Sequence, residues 1–210
     1  MAPEPQMTRS LVAASLVLLL EAAGQSLAPM APPLALILVL RIVQGTIMVL
    51  LLRDRFVRGD LGRLSFEALT QATKRGVVWC LGFGAVVGAV ALVLAVAGIN
   101  PLHLIRMHLP QDPSTLALFF VTGCLVAPLA EELFFRGIVY RLLRPMGVIP
   151  AVLISTLVFA AAHAMHGVVP VTQLAGGLLF AVAYEKEGHL AVPVIIHGAG
   201  NTALFTLSLI

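Results

Sequence analysis

Three apolar stretches of helical length carry polar side chains that hydrocarbon disfavours. Glu131, Glu132 and Arg136 lie in the first, Ser155, Phe159 and His163 in the second, and His197 and Asn201 in the third. An isolated Arg41 lies in an earlier stretch. Ionisable groups inside a spanning helix are costly and mark function by default. Glu132 and Arg136 stand four apart with the acid N-terminal, the better order for an ion pair, and pairing neutralises both in lipid. Glu131 is then a desolvated carboxyl beside a charged pair, suited to act as a general base near neutral pH. His163 can share its proton or orient a water. His197 and Asn201, four apart on one helix face, offer N–H donors of the kind that stabilise a tetrahedral oxyanion. Serine and cysteine nucleophile signatures are absent, so the set reads as water-mediated acyl hydrolysis.

Composition says what must carry these residues. The chain has 210 residues, 60% hydrophobic and 11% charged, with a mean hydropathy of +1.02. Soluble domains carry roughly 25% charged residues, so a soluble globular domain, a disordered chain and a collagen-like repeat are excluded. A span needs about 20 apolar residues. The expectation is a single all-α integral membrane domain over residues 1–210, a polytopic bundle of about six to seven transmembrane helices. The pI of 9.3 rests on 13 Lys+Arg against 10 Asp+Glu, with no basic tail and no aromatic–basic interleaving, so a lipid bilayer rather than nucleic acid is the expected partner. Cys80 and Cys124 sit in apolar runs without metal-ligand or disulfide spacing and read as packing residues.

Arg9 and the apolar run from Leu11 to Leu20 have the form of a signal peptide, but the stretch to about Met30 is long enough to span and is taken as the first helix. The second runs from Leu34 to Leu52, entered through Pro32 and Pro33. Residues 53–75 form the one long polar stretch, expected as a cytoplasmic loop with an interfacial amphipathic helix from about Leu61. A third span, Gly76 to Ile99, holds Gly84 and Gly88 at GxxxG spacing, read as a close helix contact in lipid. His103, His108 and Asp112 read as solvated loop residues. A long fourth helix follows from near Ser114 to about Arg144, then helices from Pro150 to about Met165, from Pro170 to Tyr184, and from about Leu190 onward. With the N-terminus inside, ten basic residues fall on the cytoplasmic side against Arg106 alone outside. Eleven arginines against two lysines point to a GC-rich genome and so to a bacterial inner membrane.

Depth can be read from the turn between helices four and five. Glu131 lies 14 residues before Pro145 and His163 lies 13 after Pro150; both are roughly 20 Å above the turn on antiparallel neighbours, able to meet. Ser155, Phe159 and His163 share one face. Pro128, one turn before Glu131, frees a backbone carbonyl and is a candidate kink. Arg41 needs a partner, with Glu21 and Glu132 as candidates.

Glu131, Glu132 and Arg136, then Phe159 and His163, then His197 and Asn201 resemble, in order, the EExxxR, FxxxH and HxxxN motifs of the CAAX protease and bacteriocin-processing family of intramembrane glutamic endopeptidases. The resemblance covers roughly residues 115 to 205. It implies cleavage of a membrane-anchored protein or peptide near its C-terminal end, with Glu131 activating water helped by His163. His197 and Asn201 would form the oxyanion site, and Glu132 and Arg136 would hold it together, with Phe159 as the aromatic position of the second motif. It implies no cofactor; zinc on Glu131, His163 and His197 is the alternative.

Two other readings use the same residues. A non-enzymatic membrane scaffold or bacteriocin-immunity protein would use them as staples between helices, and a proton-coupled transporter would use the buried Glu and His as a relay. No internal repeat of the transporter kind is evident.

Overall fold

The computed structural model describes residues 4–27, 29, 33–163 and 171–210. The described residues are all-helical: α1 (Glu4–Leu27), α2 (Pro33–Leu51), the short α3 (Arg53–Arg58), α4 (Phe66–Val96), α5 (Pro113–Met146), α6 (Val148–His163), α7 (Val171–Glu187) and α8 (Ala191–Leu207). Among them α1 from Met7, α2, α4 and α5 are long and apolar enough to cross a membrane, and α6 and α8 are shorter apolar helices. The chain is an integral membrane protein. The expected entry at Pro32, the stretch to Met30, the end at Met165 and the start at Pro170 lie outside the described residues.

Successive helices pair as α1 with α2, α6 with α7 and α7 with α8, while α5 runs through the middle, touching α2, α6 and α8. Small residues permit the closest approaches. A Cβ on Gly177 of α7 would stand 3.2 Å from Phe159 and Thr156 of α6, and one on Gly76 of α4 would stand 2.9 Å from Ile195 of α8.

Three expectations are corrected here. No separate interfacial helix starts at Leu61: Ser65 caps α4 by accepting from the Ala68 N–H at 3.2 Å, and the helix then continues unbroken through Val96. The helix that carries the expected Gly76 to Ile99 span starts earlier, at Phe66, and ends at Val96, so Gly76 lies inside it and packs against α8. Nor do Gly84 and Gly88 mediate a helix contact among the described residues, since a Cβ at either would meet none of them within 4 Å. That face of α4 is open, and Gly76 provides the close approach instead.

Charge collects at one end. Arg9 pairs with Asp54, Arg75 with Glu187 at 3.0 Å and Arg144 with Glu185 at 2.7 Å. Tyr140 donates to Glu185 at 2.6 Å. Arg55 is buried and donates to Ser10 Oγ at 2.6 Å and the Gly137 carbonyl at 3.1 Å. At the other end Asp112 is more than a solvated loop residue. It caps α5, accepting from the Thr115 N–H at 2.9 Å and the Ser114 hydroxyl at 2.6 Å, and these donors hold its carboxyl at about 2.

The loop between α3 and α4 is docked under the α7–α8 turn. The Leu190 N–H donates to the Leu61 carbonyl at 2.9 Å, and the His189 ring sits where a Cβ on Gly62 would lie, 2.5 Å away. Gly62 also has φ +92°, which an L side chain rarely adopts. Gly62→Ala is therefore expected to destabilise the fold by about 1 to 3 kcal/mol, read as a lower Tm in detergent by the fluorescence of the one tryptophan, Trp79.

Candidate active site

The site is built on irregularities in α5. This helix alternates α-helical segments with two π-helical turns, Thr122–Val126 and Phe135–Tyr140, and such turns are frequent at functional sites. Pro128 has no N–H and so cannot bond the Cys124 carbonyl. The expected disturbance thus appears as the π-turn just before it. The α8 helix meets the exposed backbone there: Asn201 Nδ2 donates to the Gly123 carbonyl at 2.7 Å, and a Cβ on Gly198 would lie 2.5 Å from the Cys124 carbonyl oxygen.

Below this contact lies a buried ion pair. Arg136 Nη1 donates to Glu132 Oε1 at 3.0 Å, with both side chains at 0% exposure. The same Glu132 oxygen is 2.9 Å from His197 Nδ1, and Arg136 Nη2 donates to the Gly177 carbonyl at 2.8 Å. The guanidinium also lies among the rings of Phe135, Phe159 and Phe180, at 5.9, 5.1 and 5.3 Å. Phe159 packs against both histidines, 4.5 Å from the His163 ring and 5.8 Å from the His197 ring. Phe180 stacks on His197 at 4.6 Å.

Glu131 points the other way. Its Oε2 lies 3.5 Å from His163 Nε2 and 3.8 Å from His197 Nε2, close to both but longer than a direct hydrogen bond. The far side of each ring is committed. His163 Nδ1 is 2.8 Å from the Phe159 carbonyl, which only accepts, so that nitrogen carries the hydrogen. His197 Nδ1 likewise donates to Glu132, whose carboxylate is paired with Arg136. In the neutral state both rings therefore turn a bare Nε2 lone pair toward the Glu131 carboxylate. Three acceptors face one another, an arrangement that requires shared protons or a donor between them. A water molecule, with two O–H groups, is such a donor. Exposure rises from His197 at 7% through Glu131 at 14% to His163 at 30%, so the site opens on the His163 side.

The structure thus brings Glu131, Glu132, Arg136, Phe159, His163 and His197 together at the expected depth. Asn201 sits one turn along α8 with one amide N–H committed to Gly123, outside hydrogen-bond contact with Glu131. Ser155, on the same face as His163, is buried and bonds its own helix at the Val152 carbonyl, 3.2 Å away. Arg41 finds Glu21, at 2.7 Å, not Glu132. Sequence reasoning missed Phe180, Gly177 and Gly198. The spacing of Gly177 and Phe180 places both on one face of α7, but nothing local announces that a guanidinium lies opposite. Among the described residues, no group of three or more His, Cys, Asp or Glu is arranged to hold a metal ion.

A bundle of apolar helices closing on an interior Glu–His cluster defines an integral membrane protein with a buried polar site. Residues 113–203 match the family model described as type II CAAX prenyl endopeptidase Rce1-like. The membrane-embedded CAAX protease MroQ of Staphylococcus aureus (strain USA300) is 36% identical over 91 residues, 40% of this chain and 36% of that protein. A protein of Escherichia coli named "Uncharacterized 24.3 kDa protein" is 32% identical over 134 residues, 60% of this chain and 62% of that one. The chain thus spans less than two thirds of either relative. No solved structure matches. Residues 113–203, just under half of the chain, are thus similar to the CAAX prenyl endopeptidase family and to a membrane-embedded CAAX protease.

Removing one partner of the buried pair strands the other. Arg136→Met is expected to destabilise the protein by about 3 to 5 kcal/mol, and adding Glu132→Gln should recover part of that loss. Thermal unfolding of the single and double variants in detergent checks both outcomes.

Proposed function

We propose that the protein is a membrane-embedded endopeptidase that hydrolyses a peptide bond near the C-terminal end of a membrane-anchored protein. One observation carries the reading: the two histidine Nε2 atoms and the Glu131 carboxylate converge on a single place with their lone pairs. A water bound there donates one hydrogen to Glu131 and the other to a ring nitrogen. As its oxygen forms the bond to the scissile carbonyl carbon, its proton passes to the Glu131–His163 pair, and the carbonyl π electrons move onto oxygen. That oxyanion is met by the remaining Asn201 N–H and by His197, which takes its Nε2 proton from bulk solvent before the attack. Collapse of the intermediate breaks the C–N bond, and the proton held by Glu131 and His163 goes to the leaving amine.

Glu132, Arg136 and Phe159 act indirectly, by fixing the two imidazoles. The reaction needs no metal in this reading, with zinc on Glu131, His163 and His197 as the alternative. The name of the Staphylococcus relative, a CAAX protease, supports the same class. We place the basic end and the N-terminus on the cytoplasmic side of a bacterial inner membrane, where the excess of Lys and Arg favours them.

The test compares membrane-protein C-termini in cells carrying wild-type protein, no protein, or Glu131→Gln at matched expression. Specific C-terminal fragments should vanish equally in the deletion and the variant, because loss of a general base costs about 10²-fold or more. Identical termini in all three strains would sink the protease reading in favour of a scaffold or immunity protein. In washed membranes, cleavage should survive treatment with a strong zinc chelator; loss on chelation and recovery on adding zinc would establish the metal alternative.

A further inference from the structure

The family match begins at residue 113, so α1 and α2 enter the proposed reaction with no role. Yet they carry Glu21 and Arg41 into the bundle, away from the basic end. Arg41 Nη1 donates to Glu21 Oε2 at 2.7 Å and to Gln44 Oε1 at 2.6 Å. The buried Gln44 amide closes the triangle, donating to the same Glu21 oxygen at 3.0 Å. One polar side chain thus holds both ends of the ion pair, and the guanidinium cannot swing away without breaking two bonds.

This triad lies beside the candidate site. Gly45, the next residue along α2, approaches Ala130 so closely that its Cβ would stand 3.9 Å from the alanine's. Ala130 immediately precedes Glu131, and Met48, on the same face of α2, is buried in one cluster with Ala130 and Leu133. Arg41 is one helical turn from Gly45 on that face. That face of α2 therefore lies beside the segment of α5 that carries Glu131. Glu131 is thereby surrounded by His163 from α6, His197 from α8, its own neighbours Glu132 and Arg136, and the Glu21–Arg41 pair from α1 and α2. Arg136 is committed to Glu132. Arg41, whose side chain is 23% exposed, is paired in turn with Glu21 and lies on the α2 face that packs against Ala130.

We propose that Arg41, locked by Glu21 and Gln44, is a positioning residue of the glutamate site, its fixed charge balancing that on Glu131 so that α1 and α2 belong to the catalytic unit. The inference rests on the endopeptidase reading. It differs from a staple between helices in what it requires: the charge at position 41 must be kept, whereas the bond to Glu21 need not be.

The assay uses a quenched peptide built on the junction mapped by the C-terminal comparison, with purified full-length protein in proteoliposomes. Arg41→Gln should lower kcat per folded molecule about tenfold or more at unchanged KM, the size expected for losing one unit charge within about 10 Å at an effective dielectric of ~20. Arg41→Lys, which keeps a cation at position 41, should stay within about threefold of wild type, and Glu21→Gln, which keeps that cation while removing a negative charge, should not lower kcat per folded molecule. Wild-type kcat in Arg41→Gln would overturn the inference. So would equal losses in all three variants that follow the folded fraction, since a staple alone predicts them. The two readings fail separately: if wild type cleaves and Glu131→Gln does not, the endopeptidase stands whatever Arg41 does. If wild type and Glu131→Gln behave alike, the endopeptidase reading falls and takes this inference with it.

Discussion

A carboxylate with no exposure inside a membrane bundle must find its donors within the protein, and Glu132 imposes that condition on everything around it. Its Oε1 receives Arg136 and His197 together, which ties α5 to α8. Arg136 then needs its own surroundings, supplied by the Gly177 carbonyl of α7 and the faces of three phenylalanines. Four helices, α5 to α8, are thus brought into register around one oxygen atom. Such a buried pair adds little net stability over a packed apolar equivalent. What it provides is geometry: the bond to His197 fixes which nitrogen carries the hydrogen and which faces Glu131.

The backbone of α5 is adapted to the same end. A regular α-helix would close every carbonyl of the Thr122–Val126 turn internally. The π-turn and Pro128 leave those of Gly123 and Cys124 for α8 to meet, one by the Asn201 amide and the other by the absence of a side chain at Gly198. An unsatisfied carbonyl in hydrocarbon is expensive, so the defect in one helix and the polar residue in the other are two halves of one contact. Asn201 thus spends one N–H on holding the helices together, and in the proposed mechanism the other meets the oxyanion.

Much of this arrangement was legible in the residues. Counting turns from Pro145 and Pro150 placed Glu131 and His163 at one depth, and they lie within ion-pair distance. The i,i+4 order of Glu132 and Arg136 announced their pairing. These features depend on helical geometry alone, which repeats at a fixed rise. What escaped depends on neighbours distant in sequence. The GxxxG of Gly84 and Gly88 follows a general rule for helix contacts in lipid, but here the same spacing occurs on a face that meets none of the described residues. The pattern at Gly76 was silent, although its partner Ile195 lies against it. The docking of Gly62 beneath His189 and the ring stack of Phe180 on His197 likewise join residues more than a dozen positions apart, where no local periodicity can signal the contact.

Glu131 and Glu132 show how adjacent, chemically identical groups acquire opposite tasks. They stand about 100° apart around the helix axis, as consecutive residues must. Glu132 turns inward, where its Oε1 receives two committed donors. Glu131 turns toward two rings whose hydrogens have already been given elsewhere, one to the Phe159 carbonyl and one to Glu132 itself. Its neighbour's satisfaction is thus the direct cause of its own want of a donor, because the hydrogen that His197 gives to Glu132 is withheld from Glu131. In the proposed mechanism that carboxylate takes its proton from the attacking water. The reactivity proposed for the site lies in this asymmetry between two consecutive residues, which the buried guanidinium maintains from the far side.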